Sequence, residues 1–403
     1  MSAPRERLFT APFFAMCGYS FTVFFSLFQL LPTAPFHVDA LGGSRLQSGL
    51  FLGLLTYSSA FSAPLTGALA DRLGRTRQLL VCSLAIAGFS MLYAIAPSVI
   101  LLLVLVPIHG IVWSGLLSAS GAYMTSILPP GRRVEGIAYW GMASVMALAI
   151  APVVGFWLFT TLGWNWLCLE ATAMNLVMAF IATRLEEPPR LGRAAHEHAP
   201  GHWIEWRVLI LSIPLFLYSY SYGAITSFSA IFADELGVTP KSLFLTTLAV
   251  VILVTRPVLG QFGDRLGYRR LFPPCLVAMA VGLALLTAAT SRPMFVAAAL
   301  VFGLGYGIAY PVFVGYITHA VGEHRRGAAF GAILAAFDTG IGTGSTLTGW
   351  ISNHGGLVTG FGVAAGLAAC ALPAFLVADR LVGRQLEAGT VLAVAEGTPE
   401  PFA

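Results

Sequence analysis

Charged residues are scarce in this chain of 403 residues, and their scarcity excludes a soluble globular protein. Asp, Glu, Lys and Arg together make up 10% of the residues, whereas 57% are hydrophobic and the mean hydropathy is +0.81. Soluble domains carry about 25% charged residues. We therefore expect most of the chain to lie in lipid.

Cysteine is also scarce, and its spacing predicts no disulfide framework. All five cysteines lie inside apolar runs without paired spacing, at Cys17, Cys82, Cys168, Cys275 and Cys370. We interpret them as packing residues of the core.

Several catalytic motifs are missing as well. The chain contains no His-Glu-x-x-His, no Gly-x-Ser-x-Gly, no Walker pattern and no paired aspartates on facing spans, which disfavours a polytopic membrane enzyme or a pump driven directly by ATP. A sensor would normally carry an added soluble signalling domain, for which the polar segments are too short. We therefore expect neither an enzyme nor a cofactor.

Long apolar runs are abundant, and their number predicts the architecture. A helix needs about 20 residues to cross a bilayer. Twelve runs meet this requirement, near residues 11–35, 47–70, 78–96, 98–128, 136–162, 166–185, 207–233, 242–262, 271–290, 293–320, 328–352 and 357–380. An even number of spans brings both termini to the same side of the membrane.

The basic residues are concentrated on one side of this twelve-span arrangement. The N-terminus, the even-numbered turns and the C-terminus carry 18 of them, the opposite side carries Arg45, Lys241 and Arg292, and Arg256 inside a span completes the 22. Because cytoplasmic loops are enriched in Lys and Arg, we predict a multi-pass protein of the inner cell membrane with both termini in the cytoplasm. The positive charge thus marks topology and predicts no nucleic-acid partner.

The chain also repeats itself with an offset of 193 residues. Gly67, Asp71, Gly74 and Arg77 return as Gly260, Asp264, Gly267 and Arg270. Two further landmarks keep this register, since Pro64 matches Pro257 and the pair Arg132-Arg133 matches Arg325-Arg326. One offset over so long a stretch predicts a duplicated unit.

The repeated segment carries a family resemblance. The pattern Gly-x-x-x-Asp-Arg-x-Gly-x-x-Arg between spans two and three, with a weaker copy between spans eight and nine, resembles the signature loop of the major facilitator superfamily of transporters. The resemblance implies an all-α membrane protein with the major facilitator fold, in which twelve transmembrane helices form two pseudo-symmetric six-helix bundles. We expect the bundles at residues 1–185 and 207–384, a cytoplasmic linker at 186–206 and a disordered cytoplasmic tail at 385–403.

The resemblance further implies that the signature loop latches one state of an alternating-access cycle. A carboxylate at a helix end can meet arginines or the positive end of a neighbouring helix in one conformation only. Alternatively, the arginines serve only as topology signals. The candidate latch residues are Gly67, Asp71, Arg72, Gly74, Arg75, Asp264 and Arg265. The second copy departs from the pattern, because Tyr268 stands where the first copy has Arg75.

Two charged residues inside spans are candidates for proton coupling, since a charge costs about 2.5–3.5 kcal/mol to insert at the centre of a span. Asp338 lies about 15 Å into span eleven, and Arg256 lies about 12 Å from the end of span eight, at 1.5 Å per residue. Asp338 is either a proton or substrate site tuned by Arg256, or one member of a buried ion pair that fixes helix packing. For Arg256 we favour the structural role.

A third candidate for proton coupling is His109 in span four. Histidine titrates near neutrality, so His109 could relay protons, or it could be a hydrogen-bonded packing residue. The stretch around it resembles a span-four motif of proton-coupled drug exporters, although Val106 stands where that motif has Arg.

Span five contains Ala151-Pro152-Val-Val-Gly155, which resembles the Gly-Pro-x-x-Gly motif of antiporters with Ala151 in place of the first Gly. A proline permits a helix bend that could serve rocking motions, and an ordinary packing kink would look the same. We interpret the motif as support for export.

Polar and aromatic residues of spans one, four, seven and ten are the candidates for a substrate cavity, because these spans line the pathway in members of the family. They are Tyr19, Gln29, His109, Trp113, Tyr123, Tyr218, Tyr222, Tyr306 and Tyr310. Each could instead be a packing residue with a satisfied polar group. The set is aromatic and weakly charged, which favours a neutral or amphipathic organic solute over a polyanion.

Two other features have simpler interpretations. Glu170 follows Trp164-Asn-Trp166 near the outer boundary, where an interfacial anchor explains it. The linker histidines His196, His198 and His202 could bind a metal ion, but no further ligand lies nearby, so we expect no metal site.

These features predict a secondary transporter that moves a small organic solute by alternating access, most simply by efflux in exchange for protons, as the resemblance to drug and sugar exporters suggests. An importer by proton symport or a facilitator on the same fold is the alternative. The expected partners are the solute, protons and the lipid bilayer, and we expect a monomer.

Overall fold

The computed structural model describes residues 7–129, 132–188, 206–320 and 326–383, which contain helices and no β-strand. The helices are α1 (Ala11–Ala40), α2 (Arg45–Leu73), α3 (Arg75–Ile95), α4 (Val99–Ile127), α5 (Arg133–Thr161), α6 (Trp164–Thr183), α7 (Trp206–Leu211), α8 (Ile213–Glu235), α9 (Leu243–Leu266), α10 (Tyr268–Thr287), α11 (Arg292–Ala320) and α12 (Arg326–Ala378). A π-helical turn, Asp379–Gly383, follows α12.

Every predicted span is helical, with two differences in how the spans are joined. Span seven is divided between α7 and α8 at Ser212. Spans eleven and twelve form the single element α12, because only Gly356 leaves helical backbone angles there, with φ of 76°. The loop predicted between residues 352 and 357 is therefore a one-residue break.

The backbone repeats with the offset of the sequence. Helices α4 and α11 begin at Val99 and Arg292 and end at Ile127 and Ala320, so both ends are 193 residues apart. Left-handed glycines recur in the same register: Gly74 (φ 96°) matches Gly267 (φ 80°), and Gly163 (φ 90°) matches Gly356 (φ 76°). Glycine adopts these angles without a steric penalty, so the repeat conserves the turns as well as the spans.

The chain forms two compact units. The N-terminal unit comprises Met1–Gly43 and Tyr57–Leu191, and the C-terminal unit comprises Ser44–Thr56 and Gly192–Ala403. Helix α2 thus contributes to both units. The sequence-based domain bounds stay a prediction, because most of the linker at 186–206, with its histidines, and the whole tail at 385–403 lie outside the described residues.

The outside of the helices is apolar, as a lipid environment requires. Phe61, Leu65 and Ile100 expose 80%, 73% and 71% of their surface. Eight helices in the described ranges are long and apolar enough to cross a membrane, and the 52 residues Gly331–Val382 suffice for two crossings at about 20 residues each. Cys370 is exposed on this surface, so its predicted role as a core residue was wrong; an apolar thiol is compatible with lipid as well as with the interior.

Small residues determine how closely helices approach within each unit. In the C-terminal unit, a Cβ atom on Gly344 of α12 would lie 1.9 Å from the carbonyl oxygen of Tyr220 in α8. In the N-terminal unit, Ala147 and Ala151 of α5 are fully buried in a cluster with Phe25 of α1. The closely packed pairs thus include α1 with α5 and α8 with α12.

The first part of α2 packs within the C-terminal unit. A Cβ on Gly49 would lie 2.3 Å from the Ser345 carbonyl oxygen, and the Ser345 hydroxyl donates to the Gly49 carbonyl at 2.7 Å. The Arg45 guanidinium pairs with Glu235 at the end of α8, and the Arg45 amide donates to Asn353 at 3.0 Å. These contacts fix the start of α2 against α8 and α12.

Candidate functional site

Four of the predicted cavity residues lie together in the C-terminal unit. Tyr218 and Tyr222 share a face of α8, and Tyr306 and Tyr310 share a face of α11, since residues four apart are neighbours on a helix. The Tyr222 and Tyr306 rings stack with centroids 4.6 Å apart, and Tyr218 meets Tyr306 edge-on at 6.3 Å. Phe337 of α12 contacts Tyr310 at 4.9 Å and Tyr218 at 6.4 Å. We call these five residues the tyrosine cluster.

The two charged candidates border this cluster. The Arg256 guanidinium donates to the Gly307 carbonyl at 3.3 Å and lies within electrostatic range of Tyr306 and Tyr310. The Asp338 carboxylate also lies within electrostatic range of Tyr310. The structure thus brings Asp338 and Arg256 to the same tyrosine, while their direct pairing stays a prediction.

One hydroxyl in the cluster has no protein partner among the residues described. Tyr218 is fully buried, and no described group hydrogen-bonds to its hydroxyl. A buried hydroxyl left unsatisfied is unfavourable by about 1–3 kcal/mol. A polar group on a bound solute could supply the missing partner.

The candidates of the N-terminal unit are dispersed. The Tyr19 hydroxyl contacts the Leu79 carbonyl at 3.2 Å and Ser83 at 2.9 Å, and thus joins α1 to α3. Trp113 packs edge-on against Phe24 at 5.4 Å. Tyr123 lies in the electrostatic range of Glu186 and Glu187, close to the end of α6. Their roles in a cavity stay predictions.

His109 is enclosed between α3 and α4. Its exposed fraction is 2%, its Nδ1 atom is 3.0 Å from the Tyr93 hydroxyl, and its ring is nearly parallel to Phe89 with centroids 5.5 Å apart. Such an environment suits a packing residue, and the proton relay stays a prediction.

Gln29 lies opposite Glu170, a contact that sequence reasoning missed. The Gln29 amide nitrogen donates to the Glu170 carboxylate, which joins α1 to α6. Gly155 of α5 allows the close approach, because a Cβ there would lie 2.6 Å from the Gln29 Cβ. Glu170 is therefore more than the interfacial anchor expected from its flanking tryptophans.

Further buried polar contacts hold the N-terminal unit together. The Ser26 hydroxyl donates to Asn175 at 3.1 Å, and the Asn175 amide donates to Ser90 at 3.1 Å, which connects α1, α6 and α3. The Gln78 amide donates to the carbonyls of Thr66 and Gly115 at 3.0 and 2.9 Å, which connects α3 to α2 and α4.

The signature loop is fixed by a carboxylate that follows the end of α6 by four residues. Gly74 turns the chain, and Glu187 then accepts from the Arg75 amide at 2.8 Å, from the Thr76 amide at 2.9 Å and from the Thr76 hydroxyl. We call this contact the Glu187 cap, because it satisfies amides at the start of α3. Burial raises the pKa of Glu187, but the hydrogen bonds from Thr76 and Arg75 outweigh that effect and bring its pKa below the ordinary value of 4.5.

The other latch candidates are less informative. Arg72 is exposed, and Gly67 lies in the last part of α2, where an added Cβ would have nothing within 4 Å. The side chains of Asp71, Asp264 and Arg265 lie outside what the structure describes. The latch therefore stays a prediction.

The C-terminal unit has a corresponding contact. The Asp379 carboxylate, 7% exposed, accepts from Arg269 at 2.8 Å and from the Tyr316 hydroxyl at 2.5 Å. These three residues form the Asp379 clamp, which joins the start of α10 and the end of α11 to the end of α12. The offset of 193 relates Tyr316 to Tyr123 and Asp379 to Glu186. A comparison of equivalent helix ends in the two halves could therefore have indicated the Asp379 clamp from the sequence.

Known proteins resemble this chain over most of its length. A sequence profile of the Major Facilitator Superfamily matches residues 11–245 and 211–394. The uncharacterized MFS-type transporter YhhS of Escherichia coli (strain K12) is 25% identical over 380 residues, covering 88% of this chain and 89% of YhhS. YhhS of Salmonella paratyphi C (strain RKS4594) is 25% identical over 371 residues, with the same coverage of 88% and 89%.

Solved structures share the fold at low identity. A bacterial homologue of the human lysosomal transporter Spinster, inward-facing and unoccupied, has a TM-score of 0.79 and 16% identity, covering 94% of this chain and 99% of its own. The peptide transporter POT in complex with sulfate has a TM-score of 0.74 and 16% identity, with coverages of 95% and 97%. The nucleoside transporter NupG has a TM-score of 0.70 and 16% identity, with coverages of 92% and 99%.

The profile spans both halves, and the fold of the solved transporters is the one that the repeated signature loop predicts. The predictions of an all-α membrane protein and of the major facilitator fold are thereby confirmed. This chain belongs to the major facilitator superfamily, and it is a multi-pass membrane transporter rather than an enzyme.

Proposed function

We propose that this transporter exports a neutral or amphipathic organic solute by alternating access, in exchange for protons. The observation that carries the proposal is the tyrosine cluster with Arg256 and Asp338 at its border. Binding sites for small molecules typically combine aromatic walls with a few convergent polar groups.

The chemistry of the cluster supports a solute with an apolar body and some polar groups. The Tyr222 and Tyr306 rings offer faces and edges for apolar or planar parts of a solute. The Tyr218 hydroxyl offers a hydrogen bond. One arginine and one aspartate balance each other, which supports a solute without a large net charge. The related folds of POT and NupG are named for peptides and nucleosides, which are small organic solutes of this kind.

Proton coupling and export have separate support. A carboxylate within a span, such as Asp338, is a functional candidate by default, because its insertion is unfavourable unless it pairs or acts. Arg256 would favour the charged form of Asp338, and solute bound between them would alter that balance. His109 remains a weaker candidate, since it is enclosed by Tyr93 and Phe89. The antiporter-like Pro152 motif supports export over import.

The signature loop would act as the latch of the cycle, on the cytoplasmic side of the inner membrane. The charge bias of 18 against 3 favours the same side for both termini. The residues proposed for the latch remain Gly67, Asp71, Arg72, Gly74, Arg75, Asp264 and Arg265. The Glu187 cap supports this role, because it ties the loop to the end of α6. We propose a monomer as the working unit.

Transport in proteoliposomes tests the proposal. The purified chain is reconstituted with a pH-sensitive dye inside, and nucleosides, dipeptides, sugars and lipophilic amines are added with and without an imposed pH gradient. We expect at least one neutral or amphipathic solute to move opposite to protons. Movement in the same direction as protons would indicate a symporter, and movement indifferent to the gradient would indicate a facilitator.

Variants assign the site in the same assay. Asp338→Asn should abolish solute-driven proton movement and retain solute exchange without a gradient, because only the titrating group is removed. Tyr306→Leu should weaken solute binding, because the stack with Tyr222 is lost. Tyr139→Leu is the matched control, since Tyr139 is 50% exposed and lies outside the cluster. Unchanged coupling in Asp338→Asn would remove Asp338 from the mechanism.

A further inference from the structure

Gln29 and Glu170 form an amide–carboxyl pair inside the membrane-spanning part of the N-terminal unit. Both lie in helices long and apolar enough to cross a membrane. Glu170 follows Trp164, the first residue of α6, by six residues, or about 9 Å along the helix. Gln29 is fully buried and Glu170 is partly accessible. The pair therefore combines a buried amide with an acid that is only partly buried.

The hydrogen bonding of this pair is incomplete. The Gln29 nitrogen donates to Glu170, whereas the Gln29 Oε1 atom is buried without a hydrogen-bond partner among the residues described. Both atoms are attached to the same carbon, so the unpartnered acceptor lies beside the carboxyl group. Buried side-chain oxygens normally have a partner, so the site lacks a donor next to Glu170.

Protonation of Glu170 would supply that donor. An ionised carboxylate only accepts hydrogen bonds, whereas a protonated carboxyl carries one O–H donor. An amide and a carboxylic acid can then exchange two hydrogen bonds, N–H to carboxyl oxygen and O–H to amide oxygen. The step adds one proton from the aqueous phase to a Glu170 oxygen, removes one negative charge and breaks no covalent bond.

Gln29 is the polar side chain that contacts the Glu170 carboxyl group. In the described structure, burial and the Gln29 amide are the influences on its carboxyl group. Titratable groups near the start of α6 include Cys168 of α6 itself, His37 of α1, stacked on Trp164 at 4.3 Å, and Tyr93 of α3, whose carbonyl accepts from Trp164 at 2.9 Å. Both His37 and Tyr93 are close to the N-terminal end of α6. Helix α5 contributes Gly155 to the pair, and residues 140–161 contain no ionisable side chain.

We propose that Glu170 is the proton-binding site of the N-terminal unit and that Gln29 is its positioning residue, hydrogen-bonding both protonation states. The proposal rests on the proposed proton coupling and adds to it a second site besides Asp338. His109 also has a buried ring nitrogen, Nε2, without a partner among the described residues, but it differs from Glu170 in access, because only 2% of its surface is exposed.

Infrared difference spectroscopy tests the proposal without knowledge of the solute. The full chain, reconstituted in lipid, is moved between alkaline and acid buffer, and the carbonyl stretch of protonated carboxyl groups is recorded. We expect Glu170→Gln to lose one band that the unchanged protein shows. Gln29→Leu should keep that band but shift its frequency and pH midpoint, because the amide no longer bonds to the acid. If Glu170 had a purely structural role, neither substitution would change the carboxyl bands.

Controls separate this band from others. Glu135→Gln removes an exposed carboxylate paired with Arg132 and should leave the Glu170 band unchanged. Asp338→Asn should remove a different band. If Glu170→Gln fails to fold, Glu170→Asp keeps a titrating acid and should show a shifted band. Identical spectra for Glu170→Gln and the unchanged protein would overturn the proposal.

The outcome is distinguishable from a failure of the proposed function. A Glu170 band that titrates in a protein whose solute flux ignores the pH gradient would support the site and contradict the antiporter. Proton-coupled flux that persists in Glu170→Gln, with no band lost, would support the antiporter and contradict the site.

Discussion

The pairs α1–α5 and α8–α12 occupy equivalent positions in the two halves but are packed differently. The offset of 193 relates Ala147 to Gly340 and Ala151 to Gly344. The alanines are fully buried against phenylalanine side chains, whereas a Cβ on Gly344 would lie 1.9 Å from a backbone oxygen of α8. Duplication thus determines which faces meet, and the size of the residues on those faces determines how closely the backbones approach.

The same comparison separates the candidate sites. Gln29 and Tyr222 are equivalent by the offset, yet Gln29 bonds to an acid and Tyr222 stacks on a ring. Glu170 corresponds to Val363, and Asp338 corresponds to Val145. Each half therefore carries its own intramembrane acid at a position where the other half is apolar. The two halves share the arrangement of helices but differ in the side chains of their candidate sites.

The largest expected effect concerns the glycine contact. Gly344→Ala should lower the free energy of unfolding by at least about 1–3 kcal/mol, because the added methyl group overlaps backbone that cannot easily move. The equivalent change, Ala151→Gly, should cost only about 1 kcal/mol, through a lost methyl group and added backbone freedom. Thermal unfolding in detergent, followed by tryptophan fluorescence, measures both. Gly366→Ala is the control, since nothing lies within 4 Å of its Cβ position; equal effects at positions 344 and 151 would contradict the comparison.

A smaller effect is expected at the helix ends. Asp379→Asn should destabilise the protein by about 2 kcal/mol, because Arg269 and Tyr316 lose a charged, 7% exposed acceptor. Its repeat equivalent, Glu186, is exposed, so Glu186→Gln should change stability by less than about 0.5 kcal/mol. Thermal unfolding of the two variants measures the difference. A similar loss in both would mean that the clamp is no stronger than a surface contact.

The smallest expected effect depends on pH. Because the folded pKa of Glu187 lies below its ordinary 4.5, its cap stabilises the protein above that pH and is lost as the pH falls through the lower folded value. Glu187→Gln should therefore cost about 0.5 kcal/mol near neutrality, at the low end for a cap because the group is exposed. Melting curves of both proteins across acid pH should converge. A constant gap would assign the effect to something other than the carboxylate charge.

The fold was largely predictable because it depends on features that are local in sequence. Apolar run length located the helices, and the offset anticipated matching turns at Gly74 and Gly267. The tyrosine cluster was partly predictable, since Tyr218 with Tyr222 and Tyr306 with Tyr310 have helical spacing. Gln29 and Glu170 could not be paired from sequence, because their contact depends on the rotation of α1 and α6 about their own axes, which the length and depth of an apolar run do not determine.

The Glu187 cap and the Asp379 clamp both join residues that are far apart in the chain. Arg75 and Glu187 are separated by 112 residues, and Arg269 and Asp379 by 110. Synthesis runs from the N-terminus, so the third helix of each half obtains this fastening only after the last helix of that half has left the ribosome. Each half therefore completes this fastening separately, once the acidic residue that follows its last helix has been synthesised.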